Sequence, residues 1–260
     1  MIYRESQRRI FKDIGRREWI RQNNLRKPYE NEFRVALKRY YTDLGNDIYK
    51  DYIMDSQLTI DYTLQNYYDR LQNIFRFQYK RIANIFRNYF LGREVNVKDI
   101  NTDFEVELDL FIANNVGTLV SGINETTRKK ILQAIANGYD EGLSVQETSN
   151  LLRNTIVAFG LSRALTIART EVHRTASFAN EMVANNMNLS GTIKEWVSVN
   201  DERTRLNHVF ADGQRVNLES EFEVGGDLLR YPADPMGSPQ ETINCRCVVV
   251  YTTPDFIGVQ

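Results

Sequence analysis

Cysteine is almost missing from this sequence: Cys245 and Cys247 are the only two, one residue apart. Such a pair is no disulfide framework, and a bridge closed across it would be strained. Apolar runs are short. None approaches the roughly 18 residues a membrane span requires, so no membrane partner is expected. The N-terminus carries charge from Arg4 onward and has no apolar h-region, so it does not read as a secretory signal. The chain therefore reads as cytosolic in origin.

Histidine is also scarce, with only His173 and His208 present, which limits designs for general acid–base catalysis. There is no Gly-x-Ser-x-Gly elbow, no Walker loop and no His-Glu-x-x-His. No enzyme is expected. Proline is rare and unevenly placed: four of the 5 lie beyond residue 212, which marks that end as rich in turns.

What the chain does have is aromatic residues, 14 Tyr and 13 Phe, and an asymmetric charge. The formal net charge is only −1. Yet the first forty residues hold twelve Lys or Arg against five Asp or Glu, and from residue 201 onward ten acids face five Arg. A basic arm over residues 1–30 points to nucleic acid or an acidic protein surface. The candidate contacts are Arg8, Arg9, Lys12, Arg16, Arg17, Arg21, Arg26 and Lys27, with Phe11, Trp19 and Tyr29 interleaved for stacking. The competing reading is a solvated, partly helical terminus. A segment of this composition is expected to be mobile when the protein is alone.

Periodicity predicts long helices over residues 31–122. Phe33, Leu37, Tyr40, Leu44, Ile48 and Tyr52 fall three and four apart, and Leu64, Tyr68, Leu71, Phe75, Ile82, Ile85 and Tyr89 repeat the pattern with one two-turn step between Phe75 and Ile82. Gly92 is read as the stop of the second helix. A third apolar segment, from Asp103 to Val120, would complete a bundle. Short connecting helices are expected over 123–160. One runs from a cap at Asn124 to a stop at Gly138, and one is opened by a capping box of Ser144 and Glu147. Ser162 reads as the cap of the last long helix. Beyond Ser190-Gly191 the period changes to two, over Ile193 to Val199, and the run Cys247 to Tyr251 reads as a buried strand. The expected fold class is α+β: a long-helix N-terminal bundle or hairpin, then a small α+β domain with a short sheet over 161–260.

Three ordered elements stand out. They are Arg169-Thr170-Glu171 on the last helix, Trp196 followed by Asp201, Arg203, Arg205, His208 and Gly213, and Pro232 leading into Asn244-Cys245-Arg246-Cys247. Together they resemble the C-terminal domain of the phage Mu protein F-like minor head proteins. The resemblance covers about the last hundred residues, with the Ser144 helix as the family's usual lead-in; the helical first half carries no matching motif. It implies a minor capsid or head morphogenesis protein of a tailed double-stranded DNA phage. Such a protein would reside in the virion near the portal protein, contact capsid proteins, and assist head assembly and DNA retention or delivery. The alternative is a DNA-binding ejection protein that engages genomic DNA through the basic arm. An enzyme or toxin module built on Arg169, Glu171 and His208 is a third reading.

Elementary chemistry sets expectations for the same residues. Glu171 and Arg174 are three apart on a helix and can pair. An Arg–Glu constellation beside a small sheet fixes packing through charge-assisted hydrogen bonds. His208, Cys245 and Cys247 are competent zinc ligands, with a fourth from Asp201 or His173. Their one-residue gap departs from the usual spacing of zinc cysteines. The favoured reading is that both cysteines fill small buried positions and His208 bonds to the backbone, so no cofactor is expected and zinc is the alternative.

Overall fold

The computed structural model describes residues 2–55, 60–92, 101–187 and 190–253, without the side chains of 2–12, 55, 60–61 and 101–102. Four long helices come first: α1 (Ile2–Asp55), α2 (Ile60–Leu91), α3 (Asn101–Asp140) and α4 (Val145–Met187). Then follow β1 (Ile193–Val197), α5 (Leu206–Ala211), β2 (Arg215–Asn217), β3 (Phe222–Val224), β4 (Asp227–Leu229), α6 (Pro239–Thr242) and β5 (Val248–Thr252). The α+β class expected from the sequence is the one observed.

The helices are longer than the sequence signals implied. Asn124 lies inside α3, and Gly138 does not stop it. The stop is Gly142, at φ 66°, where Leu143 N donates to Gly138 O and Gly142 N to Tyr139 O. Those two bonds are the paired closure of a Schellman cap, and the left-handed residue it needs is glycine. Ser162 caps nothing either: it sits within α4 and its hydroxyl donates to Phe159 O at 2.8 Å. A serine that bonds back to its own helix satisfies itself there and need not end it. The short connecting helices expected over 123–160 are therefore parts of α3 and α4.

Ser144 behaves as its sequence suggested. Its backbone N donates to Glu147 Oε2 at 2.9 Å, and Glu147 N donates to Ser144 Oγ at 3.3 Å. The reciprocal pair satisfies two donors that the first turn of α4 would leave open. Ser144→Ala is expected to lower stability by about 1 kcal/mol, measured as a shift in the urea midpoint. A midpoint unchanged within error would show that solvent serves those donors equally well.

By packing, the chain forms two compact units that divide the long helices between them. One comprises 1–29, 80–109 and 169–260, and the other 30–79 and 110–168. The second unit is a helical assembly with an aromatic core. Phe33, Leu37, Tyr40, Leu44 and Ile48 of α1 are all buried, as the stripe predicted, and Phe33 meets Phe75 edge-to-face at 4.9 Å between centroids.

The first unit holds the sheet. Strand β1 lies in the middle of a three-stranded antiparallel arrangement, β2-β1-β5, and β3 and β4 form a separate hairpin. Gly225 and Gly226 close that hairpin with positive φ at both positions, which a two-residue turn of this hand requires. Strand β1 buries Lys194 and Trp196 and turns Ile193 outward. Alternation predicted the strand but not this choice of face.

The segment read as a basic arm is helical from Ile2 as part of α1, and its latter half is built into the first unit. Glu18, Gln22 and Arg26 are buried. Gln22 Nε2 donates to Glu18 Oε1 at 3.0 Å, Asn180 Nδ2 to Gln22 Oε1 at 3.2 Å, and Tyr89 Oη to Glu18 Oε1 at 3.1 Å. A buried network of this kind ties its members into the first unit, where the sequence reads a free arm.

Candidate functional site

The three sequence elements meet in the first unit, around the end of α4 that carries residues 169–187. Thr170 is buried there, and its Oγ1 accepts a hydrogen bond from Asn244 N at 3.0 Å. Asn244 sits at φ 55°, so this bond pins the sharp backbone entry to Cys245. Glu171 and Arg174 pair as expected, with Nη1 at 2.9 Å and 3.0 Å from the two carboxylate oxygens. Arg174 Nε also donates to Ala233 O at 3.2 Å, which ties the Tyr231-Pro232 loop to the helix. Pro232 is buried beside Ala233, whose φ is 64°. Arg169 is exposed on α4, while Thr170 and His173 are buried.

Trp196 fills the centre of the small domain. Its ring meets His208 at 5.8 Å and Phe222 at 5.3 Å, both edge-to-face. Gly213 N donates to Trp196 O at 2.8 Å with Gly213 at φ 79°, so the chain turns back onto β1 there. Asp201 and Arg246 form a two-pronged pair at 2.5 Å and 2.6 Å. That guanidinium holds the Asp201 carboxyl well below the ordinary carboxylate range. Arg246 is thus committed to Asp201 instead of being left open to a partner. Arg205 Nη2 donates to Ile243 O, and Arg203 is exposed, with its backbone N on Asp201 Oδ1 at 3.0 Å.

Behind Trp196 lies the densest chemistry among the described residues. His208 Nδ1 is 3.2 Å from Cys247 Sγ and 3.7 Å from Cys245 Sγ, and its Nε2 is 3.0 Å from Glu241 Oε2. All four side chains are buried. Burial opposes charge on His208, but Cys247 and Glu241 outweigh it and raise its pKa. Burial pushes the Cys247 thiol well above its usual value, and hydrogen bonding with Cys245 adds to this. For Cys245 burial acts in the same direction, but hydrogen bonds from Cys247 win and its pKa is lowered. Cys245 and Cys247 are buried while Arg246 between them is not, so extended backbone places both sulfurs on one side. The strand β5 itself begins at Val248, one residue after the cysteine read as its start.

Neither residue considered as a fourth ligand joins this cluster. No ligand atom of Asp201 or His173 falls within the 4.8 Å that encloses those of His208, Cys245 and Cys247. Asp201 is turned to Arg246, and the His173 ring nitrogen Nδ1 faces the Arg26 guanidinium. Burial and that nearby guanidinium push the His173 pKa well down, so it is neutral at physiological pH.

Of the basic-arm candidates, Arg16, Arg17, Arg21 and Lys27 are exposed on α1. Arg26 is 2 % exposed against His173, and this corrects its place among surface contacts. The side chains of Arg8, Arg9 and Lys12 lie outside the described residues. Sequence reasoning missed Trp19, Glu18 and Gln22 as parts of the site region. Trp19 Nε1 donates to Arg246 O at 2.7 Å, beside the cysteines. The signal was present: Glu18, Gln22 and Arg26 recur every four residues, a polar stripe that reads as solvated until a buried partner is known.

Comparison with known proteins returns the same region. Residues 129–250 match the model of a family described as phage Mu protein F like protein. Minor head protein GP7 of Bacillus phage SPP1 is 27% identical over 135 residues, covering 49% of this chain and 42% of that protein. Uncharacterized protein YqbB of Bacillus subtilis is 29% identical over 128 residues, 47% of this chain and 41% of its own length. An NAD(+)--arginine ADP-ribosyltransferase, EFV, of Enterococcus faecalis is 30% identical over 124 residues, 47% of this chain and 25% of the enzyme. The chain spans less than half the length of each of these curated relatives. No solved structure matches.

Proposed function

We propose that this chain, whose residues 129–250 match the model of the phage Mu protein F-like family, is a minor head protein of a tailed double-stranded DNA phage. In this reading it is a virion component bound near the portal, where it assists head assembly and DNA retention or delivery. The observation that carries the reading is that the matched segment is also the one whose motif residues interlock in space, from Thr170 with Asn244 to Arg246 with Asp201. The similarity to a phage minor head protein supports the same role. The interlocking is structural in character. Glu171, Arg174, Asp201 and Arg246 spend their charges on one another, and an assembly protein needs that rigidity more than open reactive groups.

Exposed apolar residues supply a contact surface. Phe210 is 81% and Leu206 72% exposed, four residues apart on α5, with Val209 between them. Aromatic and aliphatic anchors of this kind carry much of the energy of protein interfaces. A second reading is favoured by Arg16, Arg17, Arg21 and Lys27, whose exposed side chains on α1 suit contact with DNA phosphates in an ejection role.

The test is binding of the full chain to the portal ring of its phage across a salt series. Two variants accompany it, Leu206→Ser with Phe210→Ser, and Arg16, Arg17 and Arg21→Glu. The minor-head reading expects binding to the ring that persists as salt rises and weakens in the serine variant. No binding to the ring, with salt-steep DNA binding lost in the charge-reversed variant, would replace it with the ejection reading.

A further inference from the structure

We propose that His208, Cys245 and Cys247 hold one zinc ion, which staples α5 to the start of β5. The imidazole nitrogen already stands at zinc-site separations from both sulfurs. With Zn–S near 2.3 Å and Zn–N near 2.0–2.1 Å, tetrahedral angles place N and S about 3.6 Å apart. The observed 3.2 Å and 3.7 Å from His208 Nδ1 to the two sulfurs bracket that value. All three ligand atoms fit within 4.8 Å of one another.

The group behind the histidine is what separates a metal site from a pair of small buried cysteines. Glu241 Oε2 lies 3.0 Å from His208 Nε2, so the ring proton sits on Nε2 and the Nδ1 lone pair is directed at the sulfurs. Histidines that bind metal ordinarily donate their other nitrogen to a carboxylate in this way. Glu241 is itself held: its Oε1 accepts from Asn207 Nδ2 at 2.7 Å. The hairpin leaves room for it only because residue 225 is glycine, where a Cβ would come within 2.6 Å of that same oxygen. Two buried cysteines packing as small hydrophobes would need none of this.

The one-residue spacing is met by geometry. Arg246 turns outward to Asp201, and Ser198 Oγ lies 3.4 Å from Cys247 Sγ, which gives that sulfur a second polar neighbour. Two thiolates and a neutral imidazole cancel the charge of the ion, so burial of the loaded site is favourable. A cavity of about 20 Å³ borders His208 and Cys247, next to Asn244 and Arg205. That is room for a single water, and the fourth ligand is such a water. A domain with short strands and a small core gains from such a cross-link as other small domains do.

The test uses the full chain, purified without chelator from cells grown with added zinc. Elemental analysis is expected to find one zinc per chain. Replacement by Co²⁺ should give the thiolate-to-cobalt charge-transfer band and the intense visible bands of a tetrahedral site. Removal of the zinc should lower the Tm. Cys247→Ser should abolish the charge-transfer band. Because that variant can fail to fold, Glu241→Gln carries the test as well: it keeps every ligand and is expected to weaken zinc binding by roughly 10- to 100-fold against a chelating dye. A folded chain that takes up Co²⁺ without a charge-transfer band, or a Glu241→Gln variant with unchanged zinc affinity, would overturn the site as described.

Discussion

Lys194→Met is expected to destabilise the protein by about 3–5 kcal/mol, the range for removing one partner of a buried ion pair. Lys194 is fully buried on β1, and its Nζ donates to Glu181 Oε1 and to Arg230 O, each at 2.9 Å. The ammonium also lies 5.4 Å from the centre of the Phe222 ring. Removing it leaves the Glu181 carboxylate in the interior with Tyr251 Oη at 2.8 Å and Arg230 at 3.8 Å. Those partners do not replace a buried ammonium. The companion measurement is the double variant Lys194→Met with Glu181→Leu. Once both charges go, the uncompensated group goes with them, and most of the loss is expected to be recovered. Urea denaturation of the two variants and the parent decides it. A single variant within about 1 kcal/mol of the parent would mean that water reaches the pair.

The same lysine sets a pH dependence with a definite sign. Burial depresses the Lys194 pKa, and Glu181 offsets only part of that depression. Between the folded value and the ordinary lysine value, the unfolded chain binds the proton that the folded chain has released. The contribution of Lys194 to stability therefore rises with pH across that window. A lysine whose pKa was raised by its partner would show the opposite slope.

In the helical unit the largest effect is expected from the smallest change. Gly160→Ala adds one methyl group to α4, yet its Cβ would lie 2.0 Å from Tyr41 Cγ and 2.4 Å from Tyr41 Cβ. Tyr41 is fully buried and meets Tyr40 edge-to-face at 5.1 Å. A clash with Cβ is not relieved by turning the ring, so the helix backbones must separate. Overpacking of this kind costs about 1–3 kcal/mol and occasionally more. It opposes a helix-propensity gain of about 1 kcal/mol on replacing glycine with alanine. The net expectation is a loss of up to about 2 kcal/mol in thermal or urea unfolding. Gly122→Ala is the control, because nothing lies within 4 Å of its added Cβ on α3. It should stabilise by roughly 0.5–1 kcal/mol. Stabilisation by both variants would show that the approach of α4 to Tyr41 is looser than described.

Much of the fold could be read from the residues in order. The stripe of Phe33, Leu37, Tyr40, Leu44 and Ile48 is a local pattern, and local patterns determine helices by themselves. The capping box at Ser144 and the period-two run at β1 are local as well. The motif elements between Arg169 and Cys247 were legible as an ordered set, and their similarity to a family followed from that order alone. Even the reach of Glu171 to Arg174 is a property of one helix.

What lay beyond the sequence was every decision made by a distant partner. Asn124 and Ser162 carry the residue types of helix caps, but the helices continue through them because neighbouring packing outweighs a weak local preference. Arg26 and Lys194 look solvated in any window of sequence. They are buried because His173 and Glu181, 147 and 13 residues away, meet them in the interior. The histidine, the two cysteines and Glu241 come from three separate segments, so only the folded chain sets their distances. Chemical type and period are written residue by residue; burial and pairing depend on which surfaces close against each other, and that is settled only when the whole chain packs.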